Sequence, residues 1–233
     1  SSSDGNTYTT SSEETQDTSS QQTPQETADT APSVDPYSSQ EETSSEPAPV
    51  QAGIPKQIPV PSWITPEFLD YNQYSRPGLA LDSISNIVIH WVANPGSTAE
   101  GNREYFANLE NNEKIGVSSH FIIGLDGEIL YIIPTNEVAY CNFPRNNDTI
   151  SIENCHPGWD GKFNSATYSS LIRLCAYLCE QFGLSSDCLI RHHDVSGKDC
   201  PKYYVDHEDA WKQLKDDVRS YMNEHPDILN ELP

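Results

Sequence analysis

The residues best suited to chemistry lie in one short segment of the last quarter of the chain. Between Ile190 and Pro201 the sequence holds two histidines, a cysteine, a lysine and two aspartates around a glycine turn. Cysteine and histidine are the side chains that zinc prefers in proteins. His192 and Cys200 are separated by a loop, so both side chains can turn toward one point.

A third ligand must come from elsewhere in the chain, and His90 is the natural donor. It ends the apolar run Ile87-Val88-Ile89, which predicts a buried strand. A lone histidine among aliphatic residues is by default a core residue with hydrogen-bonded ring nitrogens. Together with His192 and Cys200, His90 completes a set of two histidines and one cysteine. Such a set leaves a fourth position for water, as in catalytic zinc sites.

The elements that must position these residues alternate between strands and helices. Short β-branched runs predict strands, a period of 3.6 predicts helices, and Asp126-Gly127 predicts a hairpin turn. The predicted strands cover residues 86–93, 119–125, 128–134, 148–154 and 188–191. The predicted helices cover residues 97–112, 167–182 and 206 to about 223. A capping box at Ser97 and Glu100 opens the first helix, Gly183 ends the second, and Asp206 caps the third. This order predicts an α/β fold, with a mixed central β-sheet flanked by helices on both faces.

Composition divides the chain into three parts. Residues 1–50 hold ten acidic side chains and neither lysine nor arginine, and Ser, Thr, Gln and Pro fill most of the rest. We therefore predict a disordered acidic linker over residues 1–53, because it has too little apolar surface to offset its chain entropy. Residues 54–225 form the predicted catalytic domain, with 54–82 as an extended arm wrapped around it. Residues 226–233 are a predicted C-terminal tail.

Charge and hydropathy limit the partners and the location. The formal net charge is −22, and the chain after residue 50 is still acidic. Nucleic acid is therefore an unsuitable partner, and so is an anionic lipid surface. No apolar run reaches the roughly 18 residues of a transmembrane helix. Because the chain begins with Ser1, we expect that an amino terminus with a possible anchor has been lost and that the protein is secreted, or anchored outside the cytoplasm. A plain cytoplasmic tail is the alternative.

The six cysteines leave the redox arrangement open. An even number in a secreted protein is compatible with three disulfides. If Cys200 binds a metal, five remain, and at least one of them is a free thiol or an intermolecular partner. Cys175 and Cys179 lie four residues apart on a predicted helix, where we expect them to pack as small apolar side chains.

Four segments, in this order, resemble the zinc-dependent N-acetylmuramoyl-L-alanine amidase family of phage endolysins, bacterial autolysins and animal peptidoglycan recognition proteins. The match spans about residues 55–222 and rests on Ser75-Arg76-Pro77-Gly78 ahead of Ile87-Val88-Ile89-His90, on Ser119-His120-Phe121-Ile122-Ile123, on Ser151-Ile152-Glu153, and on His192 to Pro201. The resemblance implies the amidase fold and a monomeric enzyme. It also implies hydrolysis of the amide bond between the lactyl group of N-acetylmuramic acid and L-alanine, in peptidoglycan or its muropeptide fragments.

The resemblance also implies a role for each matching residue. His90, His192 and Cys200 would bind Zn²⁺, and His192 rather than His193 fits the His-x-Asp pattern of the family. Glu153 matches the general base of the bacterial enzymes. Lys198 matches the basic residue that stabilises the developing oxyanion. Taken alone, Glu153 would be a structural ion-pair residue and Lys198 an ordinary solvated lysine.

Three further histidines are candidates for substrate contacts. His120 fits the family pattern, although a structural histidine beside the site is the alternative. His156 follows Glu153 in an unusually polar stretch. His193 stands where relatives often have an aromatic residue, so it packs against the domain or lines the groove.

Two positions depart from the family, and two other functions compete. Ser119 replaces a tyrosine of some relatives. Cys141 follows an aromatic residue where several relatives have histidine, and it either edges the groove or is a buried thiol. The first competing function is a non-catalytic peptidoglycan-binding module, against which the presence of Cys200 argues. The second is a cytoplasmic enzyme that recycles wall fragments, against which the long acidic tail argues.

Overall fold

The structure is a computed structural model that describes residues 51–231. Its centre is a six-stranded sheet in the order β1-β4-β3-β5-β2-β6. The strands are β1 (Thr65–Pro66), β2 (Asn86–Trp91), β3 (Phe121–Ile123), β4 (Ile129–Tyr131), β5 (Thr149–Asn154) and β6 (Leu189–Arg191). The helices are α1 (Ala99–Ala107), α2 (Ser165–Phe182), α3 (His192–Ser196), α4 (Lys202–Asp206) and α5 (Glu208–Glu224).

The three central strands are parallel and buried, as their apolar sequences predict. β5 pairs with β2 and β3, and β2 also pairs with β6, all in parallel. Only the hairpin partners β3 and β4 run antiparallel, joined by a turn in which Gly127 has a φ of +82°. The predicted mixed sheet is therefore confirmed, and so is the predicted hairpin, with strands shorter than expected.

The two faces of the sheet carry different cores. Side chains alternate along a strand, so Ile87 and Ile89 of β2 face the same way as Ile150 and Ile152 of β5. These four residues pack in one cluster with the apolar face of α2, on which α5 packs in turn. A second cluster, which includes Phe106 of α1, covers the other face. Helices therefore flank the sheet on both faces, as predicted.

Helix α2 has the boundaries that its sequence predicts to within two residues. The side chain of Asn164 caps its first turn by accepting a hydrogen bond from the Thr167 backbone N–H. Gly183 ends the helix in the left-handed conformation, with a φ of +66°. The prediction that Gly183 ends this helix is confirmed.

Two predicted helix caps were wrong. Helix α1 is capped by Thr98, whose side chain accepts from the Gly101 N–H, so the predicted Ser97 cap is displaced by one residue. Asp206 does not cap the last helix, because it ends α4 and pairs with Lys202 at 2.8 Å. His207 precedes α5 and makes no side-chain capping bond there. The aromatic run before α5 forms its own short helix, which propensity alone did not indicate.

The ends of the predicted domain extend farther than expected. The predicted linker lies outside the described residues apart from its last three, and of these Gly53 exchanges two backbone hydrogen bonds with Ile84. Within the predicted tail, Ile228 is buried and Glu231 accepts hydrogen bonds from Trp63 and Arg173. Residues 226–231 thus pack against the domain. No helix of the described part is long and apolar enough to cross a membrane.

Candidate metal centre and active site

Two strand positions place His90 and Glu153 side by side. They are register partners on the neighbouring parallel strands β2 and β5, near the carboxyl ends of both strands. Since Ile89 and Ile152 face α2, the next residue of each strand faces the opposite side of the sheet. Asn154 then ties the two strand ends together, because its Nδ2 donates to the His90 carbonyl at 2.9 Å.

The loop after β6 brings His192 and Cys200 to the same place. His192 begins α3, which ends at Gly197 in the left-handed conformation. The chain then returns, and the His193 backbone N–H donates to the Cys200 carbonyl at 2.9 Å. Arg191, largely buried, anchors the start of this loop through Asp194 and Glu208.

The three predicted zinc ligands converge. The ligand atoms of His90, His192 and Cys200 all lie within 4.8 Å of one another. The Cys200 Sγ is 3.5 Å from His90 Nδ1, and the two imidazole rings are 4.6 Å apart between centroids. His90 and Cys200 are buried, whereas His192 is partly exposed.

Burial determines the protonation states at this centre. It lowers the pKa of His90 to about 3, with a further contribution from His192, and the pKa of His192 to about 4, aided by Lys198. Both imidazoles are therefore neutral, which is the form that binds metals. Burial also raises the pKa of the Cys200 thiol far above its usual range. A bound cation would offset that effect and let the thiol ionise.

The Glu153 carboxyl group has unused hydrogen-bonding capacity. Its Oε2 is buried and has no hydrogen-bond partner, and its Oε1 is 3.8 Å from the Cys141 Sγ. Burial raises the pKa of Glu153 to about 8, although the positive charge of Lys198 acts against this. A buried polar atom without a protein partner is uncommon in folded proteins, so this oxygen is available to a group bound at the metal centre.

A depression of about 450 Å³ opens beside these groups. His192, Lys198, Cys141 and the exposed Phe143 contribute to its lining, together with Gly116, Val117, Tyr140 and Asn146. Lys198 is exposed there, and Cys141 lies at the edge of the groove, one of its two predicted positions. This depression could admit a substrate next to the metal ligands.

The other predicted histidines lie outside this depression. His120 is buried, with Nε2 2.8 Å from the Glu137 carbonyl and Nδ1 3.1 Å from the Ser151 nitrogen, so both ring nitrogens are occupied. His156 is buried against Trp91, and its Nδ1 donates to the Gly158 carbonyl. His193 is partly exposed, with Nδ1 3.1 Å from the Lys198 carbonyl. These contacts fit a structural role for His120, whereas the buried Nε2 of His156 has no hydrogen-bond partner among the described residues.

One residue of the centre was missed by the sequence reasoning. Asn142 is buried, and its Oδ1 lies 2.5 Å from His90 Nε2. An asparagine in a polar loop has no distinctive sequence pattern, and it meets His90 only because the fold brings together residues 52 positions apart.

Comparison with known proteins gives the family. The family model described as N-acetylmuramoyl-L-alanine amidase matches residues 80–203, more than half of the chain. The chain belongs to the N-acetylmuramoyl-L-alanine amidase family. The match includes His90, Glu153, His192, Lys198 and Cys200.

Individual relatives agree with this assignment. A probable N-acetylmuramoyl-L-alanine amidase of Bacillus licheniformis is 36% identical over 150 residues, covering 59% of this chain and 42% of that protein. The amidase BlyA of Bacillus subtilis (strain 168) is 31% identical over 183 residues, covering 70% and 48%. The chain thus spans less than half the length of these curated relatives.

A solved structure matches about two thirds of the chain. The catalytic domain of XlyA superimposes with a TM-score of 0.56 at 27% identity, covering 66% of this chain and 98% of that domain. The PlyL structure matches with a TM-score of 0.57 at 21% identity, which supports the fold alone.

Proposed function

We propose that this protein is a zinc-dependent N-acetylmuramoyl-L-alanine amidase. It hydrolyses the amide bond between the lactyl group of N-acetylmuramic acid and the L-alanine of the stem peptide. The observation that carries the proposal is the convergence of His90, His192 and Cys200 beside Glu153, in a chain of this family.

The donor set fits zinc. Two neutral imidazoles and one thiol are typical zinc ligands, and three protein ligands leave a position for a reacting molecule. The buried, unpartnered Oε2 of Glu153 faces no competing protein donor, which agrees with a role toward bound water. When bound, zinc supplies Lewis acidity, making water a nucleophile near neutral pH and polarising a carbonyl oxygen.

Glu153 and Lys198 have complementary tasks in this proposal. Glu153 takes the proton of the attacking water and delivers it to the departing L-alanine nitrogen, which splits the amide bond. The buried Oε2 of Glu153, which no protein donor occupies, is the atom that can accept this proton. Lys198, exposed at the depression, stabilises the negative charge that develops on the carbonyl oxygen.

The proposed substrate is peptidoglycan or its muropeptide fragments, and the proposed place of action is outside the cytoplasm. The names of the relatives support this substrate. The depression is compatible with it as well, since Lys198 is the only charged side chain among those that line it. We propose that the protein acts as a secreted or wall-associated monomer.

The test is a digest of purified peptidoglycan with the zinc-loaded full chain, analysed by mass spectrometry. Stem peptides with a free L-alanine amino group are the expected products, and Cys200→Ser should release none. If the wild-type protein releases no peptide but still co-sediments with the wall, it is a non-catalytic binding module and the proposal is wrong.

A further inference from the structure

Asn142 occupies the position behind the candidate zinc ligand His90. It is buried, and both ends of its side-chain amide are hydrogen-bonded. Its Oδ1 is 2.5 Å from His90 Nε2, and its Nδ2 is 2.8 Å from the Thr149 Oγ1. The Thr149 hydroxyl in turn lies 2.6 Å from the Arg145 carbonyl oxygen.

The direction of these hydrogen bonds follows from the one between the Thr149 hydroxyl and the Arg145 carbonyl. A backbone carbonyl can only accept, so the Thr149 hydroxyl donates its proton to the Arg145 carbonyl. Its free lone pairs then accept from the Asn142 amide, which requires the Nδ2 end to face Thr149. In the opposite orientation the Asn142 carbonyl oxygen would face the Thr149 oxygen, and the hydroxyl could donate to it only by leaving the Arg145 carbonyl without this donor. The network therefore fixes the orientation of the amide.

The same network fixes the tautomer of His90. Because the carbonyl end of Asn142 faces Nε2, that nitrogen must carry the proton. The lone pair of the neutral ring is then on Nδ1, the nitrogen that faces the Cys200 Sγ at 3.5 Å. The Cys141 thiol is also 3.3 Å from Nε2, but sulfur is the weaker partner.

We infer that Asn142 is a positioning residue that holds His90 in the tautomer and orientation required to bind zinc through Nδ1. The inference rests on the proposed zinc site. Ligand histidines commonly donate their second ring N–H to an oxygen acceptor, and losing such a partner weakens metal binding by about 10–100-fold. Here the acceptor is a neutral amide held by Thr149.

The segment around Asn142 is stiff enough for this role. The Asn146 Oδ1 accepts from the backbone N–H groups of Cys141, at 3.1 Å, and of Asn142, at 2.6 Å. One side chain thus closes the turn that carries Asn142. The amide is therefore positioned from both its backbone and its side chain.

The experiment measures Zn²⁺ affinity of the full chain by competition with a chromogenic chelator. Asn142→Ala should bind zinc about 10–100-fold more weakly than wild type. Thr149→Val, which leaves Asn142 free to flip, should show a smaller loss, and the double variant should be no weaker than Asn142→Ala. Asn142→Asp retains an acceptor and should bind more tightly than Asn142→Ala. The control is Asn147→Ala, close to Asn142 in sequence, because its exposed side chain donates to Asp82 and not to this network.

A second readout separates this inference from the proposed function. Nitrogen-15 NMR of the zinc-free chain should show His90 protonated on Nε2 in wild type and a mixture of tautomers in Asn142→Ala. The inference is wrong if folded Asn142→Ala keeps both the zinc affinity and the His90 tautomer of wild type. If Asn142→Ala does not fold, the same result in Thr149→Val overturns it. A wild-type chain with the expected tautomer but no zinc binding contradicts the zinc amidase and leaves the tautomer assignment standing.

A different observation carries a second inference, concerning Cys179 and Cys188. Cys179 lies on the last turn of α2, and Cys188 ends a 3₁₀ turn immediately before β6. Their Sγ atoms are 3.7 Å apart, and both side chains are buried. Cys155 instead contacts Asn102, and Cys141 and Cys200 lie at the candidate metal centre.

We propose that Cys179 and Cys188 form a disulfide when a low-molecular-weight disulfide is available as the oxidant. The Cys188 thiolate attacks one sulfur of the oxidant, forming a mixed disulfide and releasing one thiol. The Cys179 thiolate then attacks the Cys188 sulfur and releases the second thiol. The two cysteines lose two protons and two electrons, and the oxidant is reduced to two thiols.

The test oxidises the zinc-loaded full chain with oxidised glutathione, alkylates it after denaturation, and maps the peptides. One linked peptide pair containing Cys179 and Cys188 is expected in wild type and in the control Cys155→Ser, and none in Cys188→Ser. The oxidised wild type should also melt at a higher temperature than the reduced form. Alkylation of both cysteines, or pairing of either with Cys175, would overturn the proposal.

Discussion

Two segments form opposite sides of the candidate site, and different forces hold them. The loop 192–200 is closed by its own backbone, through the bond from His193 to Cys200 and the left-handed Gly197. The segment 140–146 closes its own turn through Asn146, but its contact with the site depends on β2 and β5. One side of the site is therefore local in sequence, whereas the other exists only once the sheet has formed.

This difference explains how each side serves the metal. The local loop supplies two ligands, whose spacing is set by its own backbone bond from His193 to Cys200. The segment 140–146 supplies no predicted ligand. Through Asn142 it instead orients a ligand that belongs to the sheet. Substitutions in the loop 192–200 should therefore remove metal ligands, whereas substitutions in the segment 140–146 should change the orientation of His90.

The largest effect is expected from removing a ligand of the local loop. Cys200→Ser replaces a thiolate by a hydroxyl, a much weaker zinc ligand. Losing the hydrogen-bond partner of a ligand weakens metal binding by up to roughly 100-fold, and losing the ligand itself should weaken it more. Amidase activity should disappear. The measurements are metal content after dialysis and peptide release from the wall, with Cys155→Ser as the control. Retention of zinc by Cys200→Ser would remove this cysteine from the ligand set.

The next effect should separate chemistry from metal binding. Glu153→Gln keeps the size of the side chain but removes the proton acceptor, so kcat should fall by about 10²–10⁴-fold with zinc content unchanged. Steady-state release of stem peptide from a muropeptide substrate, measured beside metal analysis, tests both statements. Glu110→Gln, on the exposed surface, is the control. A fully active Glu153→Gln would show that the general base is another group.

A smaller effect is expected at Lys198. Removing one group that stabilises an oxyanion lowers kcat by about 10²–10³-fold, and the lower end applies here because Lys198 is exposed and water screens its charge. Lys198→Ala should lower kcat more than it raises KM, since the charge that it stabilises develops only in the transition state. Lys212→Ala on α5 is the matched control. Equal kcat values for the two variants would make Lys198 an ordinary surface lysine.

The comparison also shows which parts could be predicted from the sequence. The loop 192–200 was recognisable because its ligand types and its glycine turn lie within a few residues. The central strands were recognisable from uninterrupted apolar runs such as Ile87-Val88-Ile89, which only a sheet covered on both faces can bury. In both cases the residues that form the recognisable pattern are close together in the sequence.

The features that were missed depend on tertiary contacts. Asn142 gains its role from His90 and Thr149, and neither contact leaves a pattern in the sequence. Thr98 rather than Ser97 caps α1, although both residues are good capping residues, so the choice depends on how the chain enters the helix. His120 resembles a site residue in sequence, but the fold occupies both of its ring nitrogens.

The smallest effect tests whether the loop is held locally. Gly197 has a φ of +77°, and a Cβ added there would meet no atom within 4 Å, so the cost of a substitution is confined to the backbone. Gly197→Ala should lower the free energy of unfolding by about 1 kcal/mol in urea denaturation of the zinc-free chain. Gly197→Asn should cost less, because asparagine tolerates this conformation, and Gly197→Val should cost more.

The same series distinguishes the two sides of the site. If the loop is closed by its own residues, strain at Gly197 shifts the spacing of His192 and Cys200. Zinc affinity should then fall least in Gly197→Asn, more in Gly197→Ala and most in Gly197→Val, in parallel with the loss of stability. His90 should keep its tautomer in every Gly197 variant, because Asn142 and Thr149 are untouched. A change of the His90 tautomer in Gly197→Ala would mean that the two sides are coupled through the zinc ligands, and the division into a local and a tertiary side would no longer hold.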